Sequence, residues 1–271
     1  MTQVEEGSVA TVSGPRLTVV GSTMIDQVAY STRLPERGET VIGDRFEQGF
    51  GGKGANQAVM ASLIGAHVAM VNSVGEDSYG GEILANFAGY GIDVSHMVRS
   101  PGSSGVAPIW VEADGSNRII VVPGANAGLT AEHAAAAVAA QARVDAVIGQ
   151  FEIDQAVTTA GFEAAHARGA TTILNPAPGA AISPELAAVS DWIIPNETEF
   201  AIIADAAGLP GDVDDPAAMS GLASHLGARL VVTLGERGAA RRHAVSHPVT
   251  LGPERAVARG AAGVLIRPFR H

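Results

Sequence analysis

Short apolar, β-branched runs alternate with segments of helical periodicity along most of this 271-residue chain. No other feature restricts its fold as strongly. The runs Leu17–Ser22, Val68–Ser73, Ala146–Gly149, Thr171–Leu174, Trp192–Pro195 and Leu230–Leu234 read as strands. Between them, 54–64, 79–88, 131–142, 155–167, 197–206 and 216–226 carry apolar residues on one side of a helix. Alternation at this spacing predicts an α/β domain whose mostly parallel sheet is covered by helices. Two stretches break it. Residues 28–50 and 105–123 have strand character without helices, the second with a turn signal at Asp114-Gly115, and they predict a small β-appendage over the main sheet.

Polar residues fall just beyond the expected strands: Asp26, Glu152, Asn175, Asn196 and Gly235. In an open parallel sheet ligands bind beyond the carboxyl ends of the strands, so these five positions predict one shared cleft. The densest local signal is Gly49-Phe50-Gly51-Gly52-Lys53-Gly54-Ala55-Asn56-Gln57-Ala58. Its consecutive glycines let backbone approach a ligand, and the helix that starts there directs free N–H groups at it. Lys53 and Asn56 add side-chain groups suited to sugar hydroxyls. The spacing is not that of a P-loop, because the lysine follows two glycines instead of closing the loop.

In full, this segment resembles the first signature of the ribokinase family of PfkB-type carbohydrate kinases. Further matches follow in order: Val20-Gly21-Ser22 with Asp26, Gly38-Glu39-Thr40, Gly124-Ala125-Asn126, Glu152, Asn175-Pro176-Ala177-Pro178, Pro195-Asn196-Glu197-Thr198-Glu199, and Thr233-Leu234-Gly235-Glu236-Arg237-Gly238. The resemblance covers about residues 17–238. It implies a Rossmann-like three-layer sandwich with a small β lid, and ATP-dependent phosphorylation of D-ribose to ribose 5-phosphate. By the same resemblance Met24, Ile25, Asp26, Gly52, Lys53, Gly54, Ala55, Asn56 and Glu152 hold the sugar. Asn196, Thr233, Leu234, Gly235, Glu236, Arg237 and Gly238 hold ATP, and Glu199 organises Mg²⁺ through water, an ion that keeps much of its hydration. The lid segments, about 28–50 and 105–123, imply a homodimer contact.

After Gly238 the pattern stops. The family's general base is an aspartate in a G-A-G-D turn, and here Ala261-Ala262-Gly263 is followed by Val264, which cannot accept a proton. The last aspartate is Asp215. Residues 1–238 carry a net charge of −16 and residues 239–271 a net +5, a break suggesting a shifted reading frame or a degraded gene end. The expectation is therefore one ribokinase-like domain altered after about residue 238, impaired in turnover, with the family's K⁺ ligands also missing. Two alternatives stand: a non-catalytic sugar-binding remnant, and a kinase of another sugar or a nucleoside.

Composition excludes other classes. With no cysteine, thiolate catalysis and disulfides are ruled out. The acidic body, whose one lysine is Lys53, argues against a nucleic-acid surface. The eight histidines lack paired-ligand spacing for a transition metal. No segment reaches membrane-spanning length and no leader pattern is seen, so a cytoplasmic location is expected.

Overall fold

The computed structural model describes residues 14–243 and 246–251, with side chains through Arg242. In chain order its elements are β1 (Arg16–Val20), β2 (Met24–Tyr30), β3 (Arg45–Gly51), α1 (Lys53–Leu63), β4 (His67–Val71), β5 (Ser73–Gly75), α2 (Ser78–Gly89), β6 (Val98–Ser100), β7 (Val106–Val111) and β8 (Asn117–Ile119). The second half adds α3 (Ala131–Ala140), β9 (Ala146–Gly149), α4 (Gln155–Ala167), β10 (Thr171–Leu174), α5 (Pro184–Ala188), β11 (Trp192–Ile193), α6 (Glu197–Ala206), α7 (Pro216–Leu226), β12 (Arg229–Thr233), β13 (Ala239–His243) and β14 (Ser246–Leu251).

The main sheet runs β14-β13-β12-β11-β10-β9-β1-β4. Every pairing from β4 to β12 is parallel, and β13 and β14 add antiparallel strands at one edge. Val20, Gly149, Leu174, Ile193 and Leu230 lie side by side across five strands, which brings the strand ends to one edge. Because side chains alternate across a strand, Val19 and Val20 face opposite ways. Val19 joins an apolar cluster with Ala55, Ala58 and Ala61 of α1 and Ile83 and Phe87 of α2. Val20 joins a second, with Ala137 and Val138 of α3 and Val157 and Phe162 of α4, which continues to Phe200, Ile203 and Leu222. Helices thus cover both faces, the expected α/β sandwich with a mostly parallel sheet.

Beside this sheet stands a smaller one in the order β3-β2-β7-β8. Its register places Asp26, Val28, Ala107, Ile109 and Ile119 on one face and Ile25, Gln27, Phe46 and Trp110 on the other. The second face leans on α2, where Gln27 Nε2 donates to the Tyr79 hydroxyl at 2.8 Å.

Several boundaries differ from expectation. The appendage begins at Met24 rather than 28, because β2 pairs with β3 from Met24↔Gly51 onward, and residues 31–44 form no strand. Beyond the turn at Asp114-Gly115 the second hairpin returns as Asn117–Ile119, and Val122 still bridges to Val106. The run Val68–Ser73 ends as a strand at Val71, and the following β5, Ser73–Gly75, pairs with β6 outside the main sheet. Past Gly238 the main sheet continues with β13 and β14. Val264, and the region where the family's K⁺ ligands are expected to be missing, lie outside the described residues.

Candidate active site

Adjacent strands β1 and β9 continue into opposite layers, the first through the small sheet into α1 and the second into α4. Such divergence opens a crevice beyond the strand ends. Ser22, just past β1, and Glu152, just past β9, meet there: the buried Ser22 hydroxyl donates to Glu152 Oε2 at 2.5 Å. Lys53 N–H, the first amide of α1, donates to the same oxygen at 2.8 Å. Gly52 occupies the N-cap position without a side-chain cap, and the first turn contains no acid. A carboxylate from 99 residues away therefore stabilises the positive end of the helix.

Close backbone approach explains the glycines. Gly52 has φ +93°, and a Cβ on Gly54 would stand 2.7 Å from the backbone N and O of Ser22. A Cβ on Gly51 would lie 2.3 Å from Asp26 Oδ1, so the carboxylate of Asp26 occupies the space that this glycine leaves. Burial, and then the neighbouring charge of Glu152, push the Asp26 carboxyl up to about 6. Two acids close enough to influence each other thus face one crevice beside Lys53 and Asn56. Among the described residues, no hydrogen-bond partner is found for the Lys53 ammonium or the Asn56 amide.

The other sugar-site candidates contribute mainly backbone. Ile25 is fully buried with α1 and α2, and its N–H donates to Gly105 O at 2.9 Å. Ala55 is buried in the same cluster, its N–H on Ser22 O at 2.9 Å, and Met24 is buried at the start of β2. Three neighbours were not among the ligands read from sequence. Ser22 holds Glu152. Gln150 Nε2 donates to Gln57 Oε1 at 2.6 Å, and Gln57 Nε2 to Asn175 Oδ1 at 3.3 Å. Asn175 Nδ2 in turn donates to Ile194 O at 2.8 Å, so a chain of amides joins α1 to the ends of β9, β10 and β11. Gln57 lies inside the glycine-rich signature, which was the signal available for it.

Farther along the same edge, Asn196 caps α6. Its Oδ1 accepts from Glu199 N–H and Glu199 Oε2 accepts from Asn196 N–H, both at 2.8 Å. The reciprocal box leaves the other oxygen of the buried Glu199 carboxylate outside the cap. Thr233 N–H donates to Pro195 O at 3.0 Å, which sets the turn after β12 against this helix start. Within that turn Leu234 N–H bonds Gly238 O at 2.8 Å, and Gly235 and Gly238 have φ of +56° and +89°. Arg237 pairs with Glu197 and, at 2.8 Å, with Asp214, whereas Glu236 is exposed. The structure thus assembles Asp26, Lys53, Asn56 and Glu152 at the β1/β9 crevice, and Asn196, Glu199 and residues 233–238 at the ends of β11 and β12. No cluster of three or more acidic, histidine or cysteine residues that could cage a metal occurs among the described residues. Nor is any described helix long and apolar enough to cross a membrane.

Residues 15–257 match the pfkB family of carbohydrate kinases. The chain is 35% identical over 227 residues to the deoxyribokinase of Salmonella typhi, covering 82% of this chain and 73% of that one. It is 37% identical over 226 residues to the ribokinase of Mus musculus, 81% and 68% of the respective chains. Among solved structures, Arabidopsis thaliana ribokinase complexed with ribose and ATP superposes with a TM-score of 0.75 at 27% identity, covering 88% of this chain and 78% of that one. A nucleoside kinase of Burkholderia thailandensis, at 19% identity and a TM-score of 0.68, shares the fold. The chain belongs to the PfkB family of carbohydrate kinases and is of the ribokinase type.

Proposed function

We propose that this protein binds D-ribose at the β1/β9 crevice and ATP along the ends of β11 and β12, the reaction being phosphorylation of ribose to ribose 5-phosphate. The observation that carries the reading is the convergence of Asp26 and Glu152 at the start of α1, the helix that carries Lys53 and Asn56 as side-chain donors for a polyhydroxyl ligand. Backbone at Met24, Ile25 and Gly52 lines the same pocket, and Gly54 and Ala55 hold the helix start against it. Asn196 and Thr233, Leu234, Gly235, Glu236, Arg237 and Gly238 receive the nucleotide.

Glu199 fits a water-mediated Mg²⁺ role: one oxygen is committed to the cap, the other is not, and the described residues offer no cage. When bound, the ion would neutralise charge on the transferred phosphoryl group. The aspartate base is absent, with Val264 where it would stand, so turnover by this 271-residue chain is reduced by about 10²–10⁴. A cytoplasmic protein that dimerises through the small sheet, acting as the lid, completes the reading. The deoxyribokinase relative favours one alternative, 2-deoxyribose as the sugar.

The test is ribose-dependent ADP release with ATP, Mg²⁺ and K⁺, beside calorimetric titration with ribose, 2-deoxyribose and inosine. Ribose binding with turnover near the no-sugar control is expected. Brisk turnover would refute the impairment, and preferential binding of another sugar or of the nucleoside would refute the substrate.

A further inference from the structure

The chain passes between the α/β body and the small sheet four times: outward at residues 21–23, back at 52, outward at 101–105 and back at 123–126. Three of these passages meet at one side chain. Asn126 is 2% exposed. Its Oδ1 accepts from Thr23 N–H at 2.9 Å and from Asn72 Nδ2 at 2.8 Å. Its Nδ2 donates to Thr23 O at 2.8 Å and to Pro123 O at 2.7 Å. These four bonds use both donors and both lone-pair sites of the amide. The third passage is packed against it, since a Cβ on Gly105 would stand 2.3 Å from Asn126 Nδ2. Asn72 is itself wholly buried at the end of β4, its Oδ1 on Ser73 N–H at 2.6 Å, so the cluster is anchored in the main sheet.

We propose that Asn126 is the pin that fastens the lid to the main sheet, and a positioning residue for the sugar; this rests on the ribose reading above. Gripping Thr23 by both its N–H and its C=O fixes the backbone three residues before Asp26. Asp26 belongs to the lid, whereas Glu152 belongs to the main sheet. Their relation therefore depends on where the lid is fastened, and the pin holds that relation while the outer strands move. The nucleotide end rests on β11 and β12, which Asn126 does not touch. Loss of the pin accordingly separates sugar affinity from nucleotide affinity, as a merely destabilising change would not.

The test is Asn126→Asp, which keeps the shape and the acceptor at Oδ1 but replaces the Nδ2 donor by a carboxylate oxygen facing Thr23 O and Pro123 O. Ribose affinity should weaken at least tenfold while ADP affinity stays within about twofold. Without ligand, exchange of the Thr23, Ile25, Val106 and Val122 amides should accelerate at least tenfold more than exchange of the Val19 and Val147 amides. Equal weakening of both ligands, no weakening, or uniform acceleration across both sheets would overturn the proposal. Should Asn126→Asp not fold, Asn72→Ser withdraws one of the four bonds and should act in the same direction with smaller effect. If the unaltered chain does not bind ribose, the substrate reading fails on its own, and the exchange comparison alone decides the pin.

Discussion

Asp26 shows how strongly position can alter a residue. Its carboxyl is shifted from 3.8 to about 6 by burial and by Glu152. The folded state therefore holds a proton that the unfolded chain releases, and stability contributed by this group falls as pH rises from about 4 to about 6. Ribose binding should run the other way, because a sugar hydroxyl needs the charged carboxylate as acceptor. Calorimetry between pH 5 and 8 should show affinity rising with pH and levelling off above about 6, with Asp26→Asn weak and flat across that range. The residue was legible as a candidate from its place after a strand. Its shifted titration was not, since Glu152 lies far away in sequence and only the fold brings it near. Ser22 is the reverse case: in sequence only the last residue of the Val20-Gly21-Ser22 match, it is buried against Glu152. Removing that 2.5 Å bond by Ser22→Ala should weaken ribose binding several-fold and leave ADP binding unchanged.

Helices α1 and α6 are held at their starts in different ways, and each makes a prediction. α6 is capped locally by Asn196 and Glu199. Asn196→Ala should cost about 1 kcal/mol, on the order of 2–4 °C in a thermal melt. α1 has no cap of its own and depends on Glu152 and on contact with the loop after β1. Gly54→Ala would put a Cβ 2.7 Å from Ser22 backbone, which cannot yield without displacing the loop after β1. Overpacking of about 1–3 kcal/mol is expected, with ribose affinity lost in the same variant. A melt and a titration together check it, and normal ribose binding would show that the loop tolerates the shift. Elements with strong periodicity, such as α4, α6 and α7, have the residue limits read from sequence. β5, β6 and α5 went unread because their short runs carry too few residues to show a period.

At the scale of the molecule, two apolar clusters on opposite faces of one sheet make the body, and a second sheet stands at its edge. Exposed apolar residues gather on that second sheet: Phe46, Ile119 and Ile120 are each more than half exposed. The lid-mediated dimer predicts a two-copy mass by sedimentation equilibrium and a shift to monomer in Ile119→Glu. A monomeric unaltered chain would remove that part of the reading.

Sequence alone dictates the layered α/β body, because alternating periodicity leaves few other ways to bury the apolar faces. It also determined the family, because the motifs occur in order and at matching spacing. The folded chain was needed to show which contacts hold the crevice together and what joins the sheets. Ser22 with Glu152, and Asn126 with Thr23, are separated by 130 and 103 residues. Hydrogen bonds across such distances exist only after parallel strands have aligned their ends, and no local pattern of residue types encodes them.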